Sequence, residues 1–273
     1  SEMCIRDRYV AEGGAYDGKI VERNAAGEEV RPLDISITKN VLGLFINSAV
    51  LLVIMMSCVR WYKKHPLEDG APKGGVGMIE ATVLSIYNDV IKGCIGENYR
   101  RYAPYLLTAF FFVLVNNLMG LIPIFPGGAN VTGNIAITLV LALCTFVLTN
   151  VYGTKAYWKE IFWPDVPTWL KAPIPMMPLI EFFGIFTKPF ALMIRLFANI
   201  MAGHAAVLSL VAIIFITVKS GPVINGSMTV VSVAFSIFMN ALEILVAFIQ
   251  AYVFTMLSAV FIGLSQVKEH AEK

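Results

Sequence analysis

The chain has 273 residues, of which 57% are hydrophobic and 15% charged, with a mean hydropathy of +0.71. That is more apolar surface than a soluble domain can bury and too little charge to cover it, so composition excludes an ordinary soluble protein and defines an integral membrane protein. The formal net charge of +2 singles out neither nucleic acid nor an acidic substrate as a partner.

The opening Ser1-Glu-Met-Cys-Ile-Arg-Asp-Arg8 resembles translated adapter read-through at a truncated gene end, and residues 1–8 read as non-native; a genuine polar tail is the alternative. Residues 1–37 then form an extracytoplasmic N-terminal tail. Val41 to Val59 is an uncharged apolar run between Lys39 and Arg60. At ~1.5 Å per residue it roughly spans a hydrocarbon core of ~30 Å, which makes it the first crossing. From Val76 to Arg101, Ile79, Val83, Ile86 and Val90 recur at helical spacing while Glu80, Asp89 and Lys92 take the other sides. This pattern predicts an interfacial helix rather than a crossing.

Tyr102 to Thr154 carries no charged side chain and is long enough for two crossings. The Pro- and Gly-rich stretch Pro123–Gly133 divides it into spans near 103–122 and 134–152. Lys155 to Pro178, with Trp158, Trp163 and Trp169, reads as a loop at the headgroup level. Leu179–Val218 and Thr229–Leu264 would be about 60 and 54 Å long as continuous helices, so they must tilt steeply, break or lie along the membrane plane. The turn chemistry of Lys219–Gly226 makes them antiparallel neighbours. The fold class predicted is an all-α integral membrane protein with five membrane-associated long helices plus an interfacial helix, the last two helices long, steeply tilted and antiparallel. Its membrane domain covers 38–265, and 266–273 is a cytoplasmic tail.

Lys and Arg fix the expected orientation. Arg60, Lys63, Lys64, Lys73, Lys92, Arg100 and Arg101 fill the first inter-span loop, Lys155, Lys159 and Lys171 the third, and Lys268 and Lys273 the end of the chain. These regions share the cytoplasmic side, and the two turns poor in Lys and Arg lie outside. The cysteines Cys58, Cys94 and Cys144 lie in or near apolar segments without a CxxC pair and read as small hydrophobes; no metal-site spacing and no cofactor motif is present. Neither HExxH nor GxSxG occurs, which weighs against an intramembrane hydrolase. A secondary transporter is a further alternative, although no internal repeat supports it.

The polar residues at membrane depth carry the functional signal. Arg195 lies within Phe190-Ala-Leu-Met-Ile-Arg-Leu-Phe-Ala-Asn-Ile-Met-Ala-Gly-His204, where a fixed charge is costly. Glu181, Lys188 and Arg195 are spaced seven apart and share one helical face, with Pro189 a possible kink or break. Asn199 follows Arg195 by one turn, and Glu243 and Gln250 are seven apart on the second long helix. Antiparallel pairing gives an outer cluster of His204 with Glu243, optionally Asn240, and a central cluster of Arg195, Asn199 and Gln250. Glu181 lies about 21 Å from Arg195 toward the cytoplasm. His and Glu can relay protons, whereas an Arg, with a pKa above about 12, blocks relay yet attracts a carboxylate. The plainer readings are snorkelling for Glu181 and Lys188, a helix–helix hydrogen bond for His204, and a packing ion pair for Arg195.

Arg195-Leu-Phe-Ala-Asn199-Ile-Met-Ala-Gly-His204, followed by Glu243-Ile-Leu-Val-Ala-Phe-Ile-Gln250, resembles the signature of subunit a of F-type ATP synthase. The likeness extends to Asn116-Asn117-Leu-Met-Gly-Leu-Ile-Pro123 and covers roughly residues 34 to 265. The resemblance implies a non-catalytic proton-channel stator in the bacterial inner membrane, rather than the mitochondrial one. Its implied partners are the c-ring, peripheral-stalk b subunits, the remaining ATP synthase subunits and the lipid bilayer. It implies that Arg195 faces the ring carboxylate, that Asn199 and Gln250 are its polar neighbours, and that His204 and Glu243 form the outer half-channel pair. Glu181 resembles the acidic residue of the inner half-channel. Gly120 stands where some members carry Asp, which leaves Asn117 as the nearest polar substitute.

Overall fold

The computed structural model describes residues 8–10, 20–23, 29–30, 39–65, 72, 74–122, 131–162, 176–218 and 221–266. The chain divides into two compact units, Ser1–Lys39 and Asn40–Lys273. In the first, three short strands, β1 (Arg8–Val10), β2 (Ile20–Arg23) and β3 (Glu29–Val30), form an antiparallel sheet in sequence order. Tyr9 pairs with Val21, and Glu22 with Val30. Sequence reading had left this region as a tail, because strands this short carry no periodicity to detect.

The second unit is all-α. It comprises α1 (Lys39–Lys64), α2 (Gly75–Ser85), α3 (Tyr99–Leu121), α4 (Ile135–Val151), α5 (Lys155–Phe162), α6 (Met176–Thr217) and α7 (Pro222–Ser265). A π-helical segment, Ile86–Lys92, a single turn, Gly93–Ile95, and a 3-10 turn, Gly96–Asn98, link α2 to α3. Four helical stretches, Asn40–Lys64, Gly75–Leu121, Pro178–Thr217 and Pro222–Ser265, are long and apolar enough to cross a membrane, and Ile135–Val151 is a shorter apolar helix. The chain is thus a multi-pass membrane protein, with the oversized final pair kept as two unbroken helices. Pro189 sits within α6 without ending it.

The region expected to be interfacial is helical and packs by one face on the rest of the unit. Ile86, Val90 and Ile91 are buried, and the π segment packs on α3 and α7. The other face leaves Met78 and Leu84 exposed. Gly96, at φ 73°, makes the reversal that returns the chain along α3, a backbone conformation other residues adopt only under strain. In the Lys155–Pro178 stretch, read as a loop, the first eight residues form α5. Helix α7 starts earlier than expected because Pro222, after Gly221 at φ 102°, sits in its first turn, where a fixed φ suits a helix start. Pro123–Asn130, Trp163, Trp169, Lys219, Ser220 and the C-terminal residues 267–273 lie outside the described residues.

The core lies among α3, α4, α6 and α7. Leu106, Phe110, Val113, Leu192, Leu196, Phe254 and Ile262 are among its fully buried members. Helix α7 approaches the Gly93–Ile95 turn most closely at Gly263, where a Cβ would collide with the Cys94 carbonyl. Buried polar groups pin the helices at fixed heights. Asn47 Nδ2 donates to Asn116 Oδ1 at 2.9 Å, tying α1 to α3. The Tyr105 hydroxyl lies 2.8 Å from Thr145 Oγ1, itself 3.3 Å from Ser258 Oγ, which joins α3, α4 and α7. In hydrocarbon such groups need partners, so each pair restricts how the helices can slide.

Candidate functional site

Helices α3, α6 and α7 enclose a cavity of about 250 Å³. Each contributes polar residues at matching depth: Asn117 from α3, Asn199 and His204 from α6, Glu243 and Gln250 from α7. The antiparallel register of α6 and α7 is what brings them together. Residues 199 and 204 on one helix meet 250 and 243 on the other because advancing along α6 means retreating along α7. Asn199 and Gln250 of the expected central cluster and His204 and Glu243 of the expected outer one line the same cavity, without Arg195. Asn199 Nδ2 donates to Gln250 Oε1 at 3.4 Å, and Asn117 Nδ2 donates to the Ala247 carbonyl at 3.4 Å. Gly120 also lines the cavity.

Glu243 sits against the backbone of α6. A Cβ at Gly203 would lie 2.6 Å from Glu243 Oε1, so glycine there leaves room for the carboxylate between the helices. Glu243 Oε1, Gln250 Nε2 and Asn117 Oδ1 are all buried and meet no hydrogen-bond partner among the described residues. Three unsatisfied polar atoms on one cavity wall are costly in a dry space and cheap in a hydrated one. His204 lines the same cavity and interacts electrostatically with Glu243. The arrangement can hold water and pass protons between an imidazole and a carboxylate.

Arg195 stands apart from this cavity. It is exposed on α6, at the edge of the face that buries Leu192, Met193 and Leu196, with exposed Ala191, Ile194 and Ala198 on its other side. Lys188 and Glu181, further toward the start of α6, are half-buried. The Lys188 ammonium lies 5.8 Å from the centre of the Phe261 ring, and Glu181 interacts electrostatically with Tyr157 of α5. Asn240 is exposed and donates to the Ser236 carbonyl of its own helix at 2.9 Å, so it does not join the His204–Glu243 cluster. No group of three or more His, Cys, Asp or Glu residues that could hold a metal ion occurs among the described residues.

Sequence reading missed Asn47, Gly203 and Tyr157. Asn47 is an amide inside an otherwise apolar helix, and Gly203 immediately precedes His204; both signals were present. Tyr157 carried none, because an aromatic residue in a Trp-rich loop reads as a headgroup anchor.

Fold and site together define a helical, multi-pass membrane protein with a largely apolar cavity, edged by a few polar side chains, between its long final helices. Residues 42–263 match the family described as ATP synthase A chain. The chain is 47% identical over 269 residues to ATP synthase subunit a of Chlorobium phaeobacteroides, covering 94% of this chain and 75% of that protein. It is 45% identical to ATP synthase subunit a of Chloroherpeton thalassium, covering 88% and 70%. It is 39% identical to ATP synthase subunit a of Myxococcus xanthus, covering 87% and 75%. This chain belongs to the ATP synthase A chain family.

Proposed function

We propose that the chain is the proton-conducting stator subunit of a bacterial F-type ATP synthase in the inner membrane, with two offset half-paths meeting a rotating c-ring. The observation that carries this reading is the division of labour along α6. His204 and Asn199 line the cavity shared with Glu243 and Gln250, whereas Arg195, within three turns of His204, is exposed on the surface. With the cytoplasmic side set by the Lys and Arg distribution, the cavity faces the outside. Protons reach the ring through His204 and Glu243, with Asn117, Asn199 and Gln250 holding water along the way.

The proton binds a ring carboxylate, travels round with the ring, and leaves past Glu181. Arg195 attracts the ionised carboxylate and stops protons from leaking straight across, because guanidinium does not release its own proton. Each charge crossing 100 mV supplies about 2.3 kcal/mol, so several crossings support one ATP. The chain itself performs no covalent chemistry. The domain division at 37/38 and 265/266 follows the same reading, with residues 1–37 as an extracytoplasmic tail and 266–273 as a cytoplasmic one.

Cysteines placed singly at Ala191, Ile194 and Ala198 test the geometry in the assembled complex. They should cross-link to cysteines near the ring carboxylate, while one at buried Leu192 should not. A ring that cross-links equally to both faces, or to neither, overturns the reading. A secondary transporter is less favoured, since such proteins bind solute where helices break, and α6 and α7 run unbroken past the cavity.

A further inference from the structure

The cavity between α3, α6 and α7 is sized and lined for more than water. Its volume of about 250 Å³ exceeds the ~150 Å³ that admits benzene in an apolar protein core, and approaches the ~300 Å³ at which pockets for small organic ligands begin. Most of its wall is apolar, with Leu121 from α3, Ile200 from α6, and Met239, Leu242 and Val246 from α7. Away from its few polar groups, water in such a space lacks hydrogen-bond partners, and replacing it with hydrocarbon is favourable.

The polar groups are ordered by depth. Glu243 and Gln250 stand about 10.5 Å apart along α7, and Asn117 reaches that helix between them, at the Ala247 carbonyl. Glu243 and Asn117 present acceptors, and neither Glu243 Oε1 nor Asn117 Oδ1 has a donor among the described residues. The His204 imidazole adds one more acceptor when it is neutral. At the deeper end Gln250 Nε2 is a donor without an acceptor. Among the described residues no Lys or Arg lines the cavity. An ammonium group on a short hydrocarbon chain complements this order. It brings three donors and a positive charge to the carboxylate, and its chain fills the apolar middle. An aromatic ring at the deeper end offers its face to an amide N–H such as Gln250 Nε2. An anionic ligand is disfavoured, because its charge would face that of Glu243.

We propose that this cavity is a binding site for small lipophilic amines in their ammonium form, with the nitrogen at Glu243 and Asn117 and the apolar body running between α6 and α7 toward Gln250. Binding exchanges cavity water for hydrocarbon and gives the carboxylate a charged donor. The inference goes beyond the half-channel reading. It depends on the size, lining and charge of the cavity, and not on protons passing through it.

The test reads occupancy in the assembled complex, purified in detergent, from a parent whose Cys4, Cys58, Cys94 and Cys144 are replaced by Ala. Met239→Cys and, separately, Leu242→Cys place a thiol on the cavity wall. Its modification by methyl methanethiosulfonate, a small thiol-specific reagent, is followed by the mass of this chain. Phenylbutylamine, an ammonium ion at neutral pH, should slow modification severalfold and saturably. Phenylbutanol, which keeps the body and lacks the charge, should protect severalfold less well, and in a Glu243→Gln background the amine should lose its advantage over the alcohol. Equal protection by amine and alcohol, or an advantage that persists in Glu243→Gln, overturns the site. Thiols that react at the same rate with and without the amine, or that react at neither position, overturn it as well. Proton conduction is not measured, so a negative result leaves the half-channel reading standing, and loss of that reading leaves the site standing.

Discussion

Glu243 Oε1 occupies the space that a side chain at Gly203 would fill, 2.6 Å from where its Cβ would stand. The acidic group of one long helix is therefore seated on the bare backbone of the other. Gly203→Ala should displace the carboxylate and reduce ATP-driven proton pumping while leaving the complex assembled. Glu243→Asp in the same chain, one methylene shorter, should recover part of the lost activity. Pumping equal to the parent in Gly203→Ala alone would show that the carboxylate position is not critical.

Exchanging the pair tests relay more directly. The double variant His204→Glu with Glu243→His keeps one imidazole and one carboxylate in the cavity. It should retain more ATP-driven pumping than either His204→Ala or Glu243→Ala, measured by acidification of inverted vesicles. Equal losses in all three would argue that the two residues act separately.

Arg195→Ala should abolish proton-driven ATP synthesis while the subunit remains in the membrane and bound to the ring. Arg195→Lys should also be strongly impaired, since a compact ammonium lacks the planar fork and releases its proton more readily than guanidinium. Synthesis at the parental rate in either variant would reject the role assigned to this side chain.

The Asn47–Asn116 bond should contribute to stability rather than to conduction. Each single change to Leu leaves a buried amide without its partner, and the double change removes both. A cycle of these variants, followed by thermal unfolding of the detergent-solubilised complex, should show coupling of about 0.6 kcal/mol, the average for polar contacts between membrane helices, and no more than about 1.7 kcal/mol. Additive losses would mean the bond contributes nothing of its own.

At Gly263, the close approach to the Cys94 carbonyl predicts that Gly263→Leu will separate α7 from the turn before α3. The expected destabilisation is about 1–3 kcal/mol, typical of overpacking. Thermal unfolding of the same preparation measures it, and an unchanged midpoint would contradict the contact.

Much of this arrangement was legible in the chain. Long uncharged runs announce helices at membrane depth, and the seven-residue spacings of Glu181, Lys188 and Arg195 and of Glu243 and Gln250 place polar groups on common faces. Register between antiparallel helices follows from their lengths and the short turn between them. Side-chain facing is harder to read. Arg195 and Asn199 were assigned to one cluster because they are a turn apart, yet only Asn199 reaches the cavity, since a four-residue step carries a side chain about 40° further round the helix. The partners of the helix at 75–95 are hard to read for a related reason. An amphipathic stripe shows that one face is covered but not by what, and the packing of Ile86, Val90 and Ile91 on α3 and α7 supplies that.

The outward face of α6 also bears on how the subunit is made. Its most apolar 18-residue stretch has no residue buried within the chain, whereas 39% of the corresponding stretch of α7 is buried. A bilayer solvates bare hydrocarbon well but not the guanidinium exposed on the same helix. On the stator reading proposed above, newly synthesised copies have reason to wait for the ring before they settle, and those that miss it are natural targets for membrane quality control. Expression without ring subunits should shorten the protein's half-life in a pulse-chase, and removal of the charge at position 195 should lengthen it again.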